Sequence, residues 1–435
     1  MHSYVKAQTN PLKSQSDEGS PHIAHASVPG CNNLIHYSFL DPAISSERKR
    51  FMKKIIFGLI LTSVIAWGCY CTYWYALSTS VKNSRQLRGA LVDFDRGFIG
   101  EAVISAFRAG IDQMDWLVVE PSLYNSSEAV GDAILAQDYW AGIVVNRGAS
   151  DNLIRAIETR DSSYNGSSAV TAYVTQARHD KVYSGFIIPS FIQGMQNAQS
   201  TFAKAHAQLL ADTVDIESVL GTAPQTITSP LGYVLNDMRP FDVPAATAVT
   251  FVGLVYLLII AYLMTMANLH ARMTSGLYHK LNLHSLLVLR VLTPFFIYFC
   301  LAWVYVFISL AFRIPFGRYY EHSGIWLYWL MSFAAMSALG FGVEAFVTLI
   351  PPPYTLLFFL ITLTAQISVL VFPFELLPPV FRYGYVSPFY CAFQTTESII
   401  FNVKSQIGLD FSVQIGWIVM MVAALCLFQI YMHKK

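Results

Sequence analysis

Six runs of roughly 20 predominantly apolar residues leave this chain few folds to choose from. They cover 55–77, 243–266, 286–312, 325–350, 354–371 and 413–432. In hydrocarbon every backbone N–H and C=O must be satisfied within its own segment, so each run is expected to be a helix. A hydrophobic content of 54%, an aromatic content of 14% and a mean hydropathy of +0.45 exceed what soluble domains carry. The expected fold class is an α-helical membrane protein with six transmembrane helices and a large α/β extracytoplasmic domain between the first two.

Orientation follows from charge. Arg48, Lys49, Arg50, Lys53 and Lys54 directly precede the first run, and the positive-inside bias holds them in the cytoplasm. The run is too long and too far from Met1 for a cleaved signal peptide, so it reads as a signal anchor. Tyr70, Tyr73, Trp74 and Tyr75 mark its far interface. Residues 1–54 then form a disordered cytoplasmic tail with a basic juxtamembrane cluster, and 55–77 the first transmembrane helix. Residues 80–242 are extracytoplasmic and hold two glycosylation sequons, at Asn125 and Asn165. Strand-like runs at 89–95, 114–120, 139–146 and 169–177 alternate there with helical stretches at 97–109 and 126–138, from about 149, and across 181–220. Residues 243–435 make a five-helix membrane domain. Six crossings return both termini to the cytoplasm, although Arg313 and Arg318 then lie outside against the bias. The membrane is the plasma membrane or another membrane of the secretory pathway.

Between the last two runs lies 373–402, too apolar for a solvated loop. Pro373, Pro378, Pro379, Gly384 and Pro388 break any continuous helix through it. Broken backbone at membrane depth is tolerated only where protein or a water-filled cavity surrounds it. This stretch is expected to be a re-entrant pair dipping into the outer leaflet, shaped by Pro378, Pro379, Gly384 and Pro388. Arg382 and Tyr383 then lie near the headgroups. An exit gate and a structural plug are both open readings.

Little in the sequence points to catalysis. It has no P-loop, HExxH, paired CxxC or GxSxG pattern, so it reads as no enzyme, with no cofactor and no metal. A net charge of +1 without a basic, aromatic-interleaved patch speaks against nucleic acid. None of Cys31, Cys69, Cys71, Cys300, Cys391 and Cys426 lies in 80–240, which leaves that segment no disulfide framework. Asp93 and Asp95 close the first strand, where they cap the following helix or bind a cation. Arg290 and Glu344 lie within spans at similar depth, and the energetics of intramembrane charge predict that they pair. Glu344 is then a proton or cation relay, or the pair is a helix–helix staple. Small residues at Ser337, Gly340 and Gly342 allow a neighbouring helix close to it. Met264, Met266 and Met273, with Phe295, Phe296, Tyr298, Phe299, Trp303 and Tyr305, line a path for apolar compounds or simply pack the bundle.

The segments LPPVFRYGYVSPFY (377–390) and ESIIFNVKSQIGLDF (397–411) resemble the carboxyl-terminal hallmark of the fungal nitrosoguanidine-resistance protein family. YWAGIVVNRGAS (139–150), 237–259 and 272–295 match the same pattern. More distantly, the layout is similar to membrane subunits of type-2 ABC exporters. The resemblance implies a fungal integral membrane protein of drug resistance. It would be a permease-like exporter of xenobiotic or amphipathic molecules, or a non-transporting regulator of lipid organisation whose outer domain is a binding module. Membrane lipids and a small-molecule substrate are the partners implied, with a separate ATPase subunit and a homodimer left open. Cys391 departs from the family, which often carries a small polar residue there.

Overall fold

The structure is a computed structural model that describes residues 38–109, 113–213 and 216–434. The chain divides into two units between Ile60 and Leu61. Most of the expected tail lies outside the described residues. Helix α1, Ser45–Ser78, begins before the apolar run and takes the basic cluster into its own first turns. Lys and Arg are good helix formers whose long stems can reach toward water, so charge does not stop the helix.

A mixed five-stranded sheet follows: β1 (Arg88–Asp93), β2 (Asp115–Val119), β3 (Ala141–Val145), β4 (Val170–Val174) and β5 (Tyr233–Asp237). Its spatial order is β2-β1-β3-β4-β5, with β3 and β4 antiparallel and the other pairs parallel. Between strands run α2 (Phe98–Arg108), α3 (Ser127–Leu135), α4 (Ala149–Glu158) and the long α5 (Ile188–Thr213). β3 is buried at every position, as a strand covered on both faces must be. The four strands and the helices expected here are present. The fifth strand, YVLND, is an addition: only its two ends are partly covered, so no apolar alternation announces it.

Among the described residues five helices are long and apolar enough to cross a membrane: Pro42–Gln86, Ala248–Thr274, Leu283–Ala311, Ser323–Leu349 and Ile407–Lys434. The α-helical parts of the last four are α6 (Gly253–Thr274), α7 (Leu283–Ala311), α8 (Ser323–Leu349) and α11 (Ile407–Lys434); α9 is Thr355–Ser368 and α10 is Pro388–Phe401. The run expected as a further crossing is α9, whose 14 residues span about 21 Å at 1.5 Å per residue. That is shorter than a hydrocarbon core of about 30 Å. The turn that follows Ser368 ends it.

Helix α8 is the centre of the bundle. Ala334, Ala335, Ser337, Ala338, Gly340 and Ala345 are buried along it, and small side chains let α6, α7, α10 and α11 approach. Tyr298 of α7 seats its ring over Gly340, where any Cβ would collide with it. Contacts between Trp303 and Trp326 and between Tyr298 and Phe341 show that α7 runs antiparallel to α8. Gln414 of α11 reaches Met331, and Met421 lies beside Gly342, so α11 runs parallel to α8. The sheet packs at the end of the bundle where α8 and α11 begin. Asn83 donates to the Leu376 carbonyl at 3.0 Å, Arg239 to that of Asn402 at 3.1 Å, and Lys404 to that of Ala136 at 3.0 Å. Leu376, fully buried, belongs to the same core as β1 and β3. Residues near 376 therefore tie the sheet to the bundle across the sequence boundaries expected at 80 and 242.

Candidate functional site

The broken segment is ordered rather than extended. Pro379–Val386 forms a 3-10 helix, with Pro378 in front of it, and Pro388 opens α10 at its first turn, where proline lacks nothing the helix needs. Gly384 is required by a close approach: a Cβ there would strike Phe374 and Val369. Neighbouring helices satisfy its backbone and caps. The Ser387 hydroxyl donates to Gln366 Oε1 at 2.5 Å, and the Phe389 N–H donates to the same oxygen at 3.3 Å. Gln414 donates to the Pro388 carbonyl at 2.7 Å, and Trp417 Nε1 to that of Val386 at 2.6 Å. The Tyr383 hydroxyl donates to the Ala365 carbonyl at 2.7 Å, while Arg382 is exposed. Such side-chain partners are what broken backbone in apolar surroundings needs.

This segment and the sheet enclose a cavity of about 110 Å³. Trp140, Arg178 and His179 come from the sheet side; Glu375, Tyr390 and Glu397 come from the segment and α10, and Lys404 from just beyond them. Arg178 lies over the Trp140 ring, 3.6 Å from its centroid, and donates to the Tyr139 carbonyl at 2.8 Å. Burial pushes its guanidinium down to about 10, with Glu375 acting the other way, so it stays charged at neutral pH. His179 stacks on Phe372, with centroids 6.3 Å apart, and its Nδ1 is enclosed without a hydrogen-bond partner. Burial, with Lys181 as a further cause, pushes the ring down to about 3, which makes it a neutral wall at physiological pH. Glu397 is 6% exposed and accepts no hydrogen bond among the described residues. Burial without a donor pushes its carboxyl group well above the usual carboxylate range, and the group borders the cavity. Phe374 and Tyr390, 4.7 Å apart, form part of an aromatic wall.

A second constellation closes the opposite end of the bundle. Arg290 Nε donates to Glu344 Oε1 at 2.8 Å, and its Nη2 donates to the Glu344 carbonyl and to Thr348 Oγ1, each at 2.9 Å. Its Nη1 donates to Gln429 Oε1. Arg272 Nη2 lies 2.8 Å from the same Glu344 oxygen. Arg272, Arg290 and Glu344 are all buried. The structure thus brings Arg290 and Glu344 together, and adds two groups that sequence reasoning placed elsewhere: Arg272 in a connecting loop and Gln429 in an ordinary span. Each of α6, α7, α8 and α11 supplies one member, and this four-helix tie favours the staple over the relay.

The other residues singled out fall into place without forming a site. Asp95 accepts from the Ser150 N–H at 2.9 Å and from its hydroxyl at 2.5 Å, while the Ser150 hydroxyl accepts from the Ile99 N–H at 3.0 Å. Asp95 therefore caps α4, and Ser150 caps α2. Asp93 accepts from the N–H groups of Asp95 and Arg96 at 2.9 and 3.0 Å. Asn125 and Asn165 are both exposed, and Asn165 turns its own Oδ1 back onto the Ser167 N–H at 3.0 Å. Cys69, Cys71, Cys300, Cys391 and Cys426 are free thiols. Tyr298 is buried in the bundle while Phe296 faces outward, so the aromatic stripe of α7 divides between packing and the outer surface.

A family model described as a protein of unknown function, DUF3533, matches residues 58–423. An uncharacterized endoplasmic reticulum membrane protein of Saccharomyces cerevisiae is 21% identical over 430 residues, covering 92% of this chain and 84% of that relative. No solved structure matches the chain.

Proposed function

The chain belongs to the DUF3533 family, whose function is unknown, and on that premise we propose that this membrane protein is a permease-like exporter of amphipathic molecules. The junction cavity carries the reading. It joins an aromatic wall to charged groups, and it lies where the sheet meets the apolar broken segment, the place a molecule leaving the bilayer would reach. In this reading the sheet faces away from the cytoplasm, both termini are cytoplasmic, and Asn125 and Asn165 are glycosylated. Helix α9 with residues 369–377 completes a sixth crossing, and 373–402 is a re-entrant gate. Resistance to toxic compounds, nitrosoguanidine among them, follows from export. The chain carries no P-loop, so the energy comes from a separate ATPase docked on the short connection between α6 and α7. The membrane is that of the endoplasmic reticulum, after the yeast relative's description, or the plasma membrane.

A second reading has its own observation. Tyr298, Met336 and Phe341 fill the bundle beside α8, and the Glu344 tie locks its far end. A fixed receptor that regulates lipid organisation needs no passage through such a core. Proteoliposomes holding the purified chain, alone and with its co-purifying proteins, separate the two. An exporter moves dansylcadaverine across the membrane, whereas a receptor binds it and moves none.

A further inference from the structure

The junction cavity shows what kind of group it is built to hold. Its ionisable lining sets Arg178 and Lys404 against Glu375 and Glu397, so a single oriented polar head is a good fit. Among these groups the cations are already engaged: Arg178 donates to the Tyr139 carbonyl and Lys404 to that of Ala136. Glu397 is not. Its carboxyl group accepts nothing among the described residues and borders the cavity, and burial alone pushes it well above the usual carboxylate range, so it ionises only when a cation reaches it. In the same lining, the His179 Nδ1 is enclosed without a partner. The missing element is a hydrogen-bond donor, and a positively charged donor satisfies a carboxylate best.

We propose that the junction cavity binds a primary ammonium group, with Glu397 as its acceptor and the rings of Tyr390 and Trp140 beside it. Aromatic faces attract any organic cation, but a trimethylammonium group carries no N–H and leaves the buried carboxylate without a donor. Discrimination between the two is therefore large, because a site built around a hydrogen bond rejects the analogue that lacks it far more strongly than an apolar pocket rejects a change of size. A cavity of about 110 Å³ takes a head and not a whole amphiphile, so the tail lies outside. The ammonium belongs either to the head of an aminophospholipid or to a free alkylamine. Lys404, exposed at the rim, is placed to meet the phosphate of the former. The inference rests on the junction cavity being the ligand site and does not require transport.

Calorimetric titration of the full chain in maltoside micelles tests it with four probes: hexylamine, hexyltrimethylammonium, dihexanoylphosphatidylethanolamine and dihexanoylphosphatidylcholine. Each primary amine should bind at least tenfold tighter than its trimethylated counterpart. Glu397→Gln should reduce that ratio to within twofold by weakening only the amines. Tighter binding of the phospholipid amine than of hexylamine, lost in Lys404→Met, identifies a lipid head; equal binding identifies a free amine. Either result supports the ammonium site. A measurement on the unaltered protein covers failure of the variant to fold: hexylamine should slow esterification of Glu397 by a diazoacetamide at least fivefold more than hexyltrimethylammonium does. Equal affinity for both members of each probe pair, or an unchanged ratio in Glu397→Gln, overturns the assignment. A chain that discriminates as stated yet moves no dansylcadaverine keeps this inference and loses the exporter reading.

Discussion

Replacing Glu344 by Gln should damage the protein more than replacing Arg290 by Met, although each removes one member of the same ion pair. The reason is the asymmetry of the cluster. Glu344 Oε1 lies 2.8 Å from both Arg272 and Arg290, and both arginines are 3% exposed. Loss of the carboxylate leaves two buried guanidinium groups without their counter-ion, and removing one partner of a buried pair typically costs about 3–5 kcal/mol. In Arg290→Met the carboxylate keeps Arg272. What is lost is the donor to Gln429, Thr348 and the Glu344 carbonyl. Thr348 still donates to that carbonyl at 3.2 Å, so the orphaned group is chiefly Gln429, at about 1–3 kcal/mol. Unfolding in mixed micelles of dodecyl sulfate and maltoside should therefore rank Glu344→Gln below Arg290→Met by about 2 kcal/mol, the difference between the two ranges above. The double variant should be milder than the sum by about 1–3 kcal/mol, because removing Arg290 also removes one stranded charge. Equal single effects, or a strictly additive double, would refute the four-helix tie.

Other outcomes follow from the same geometry. Gly340→Val drives a side chain into the buried Tyr298 ring and should lower stability by about 1–3 kcal/mol through overpacking, read in the same micelle titration. Ser150→Ala removes the hydroxyl that caps α2 and engages Asp95 and should cost about 1–2 kcal/mol. His179 is held neutral in the fold, with its ring pushed down to about 3 from 6.5. The unfolded chain thus binds the extra proton between those values, and stability is complete above pH 6.5 and falls as pH drops toward 3. At 1.36 kcal/mol per pH unit the loss is capped at roughly 5 kcal/mol. Melting curves of His179→Phe should lose this acid slope. Asn125→Gln and Asn165→Gln should each remove one glycan on a gel after expression in a eukaryotic host; no shift in either would place the sheet in the cytoplasm.

How much of this was legible in the sequence differs by element. Long apolar runs and the strand–helix alternation need only local pattern, and the helices and four of the strands are where that pattern puts them. The fifth strand escaped because its exposed face carries no apolar period, and pairing with β4 alone makes it a strand. Helix α9 escaped as a short element because hydropathy cannot see that the turn after Ser368 stops it. Charge gave the Arg290–Glu344 contact, since two ionised groups within spans at similar depth have few other partners. It did not give Arg272, which hydropathy assigns to a loop, nor Gln429, whose neutral amide raises no alarm in a span. Glu397 was equally hidden. It stands in ESIIF as one acidic residue at the edge of an apolar stretch, and only the folded position of Arg178 and His179, more than 200 residues earlier in the chain, reveals that it borders a cavity.

The central claim is that the junction cavity handles amphipathic molecules for export. Its most direct measurement is the flux of dansylcadaverine out of proteoliposomes that contain the chain and its co-purifying proteins, compared with the same preparation carrying Glu397→Gln. Energised flux in the first, reduced at least tenfold in the second with the protein still folded, is the predicted result. Flux that is absent, or that is the same with and without the Glu397 carboxylate, would contradict it.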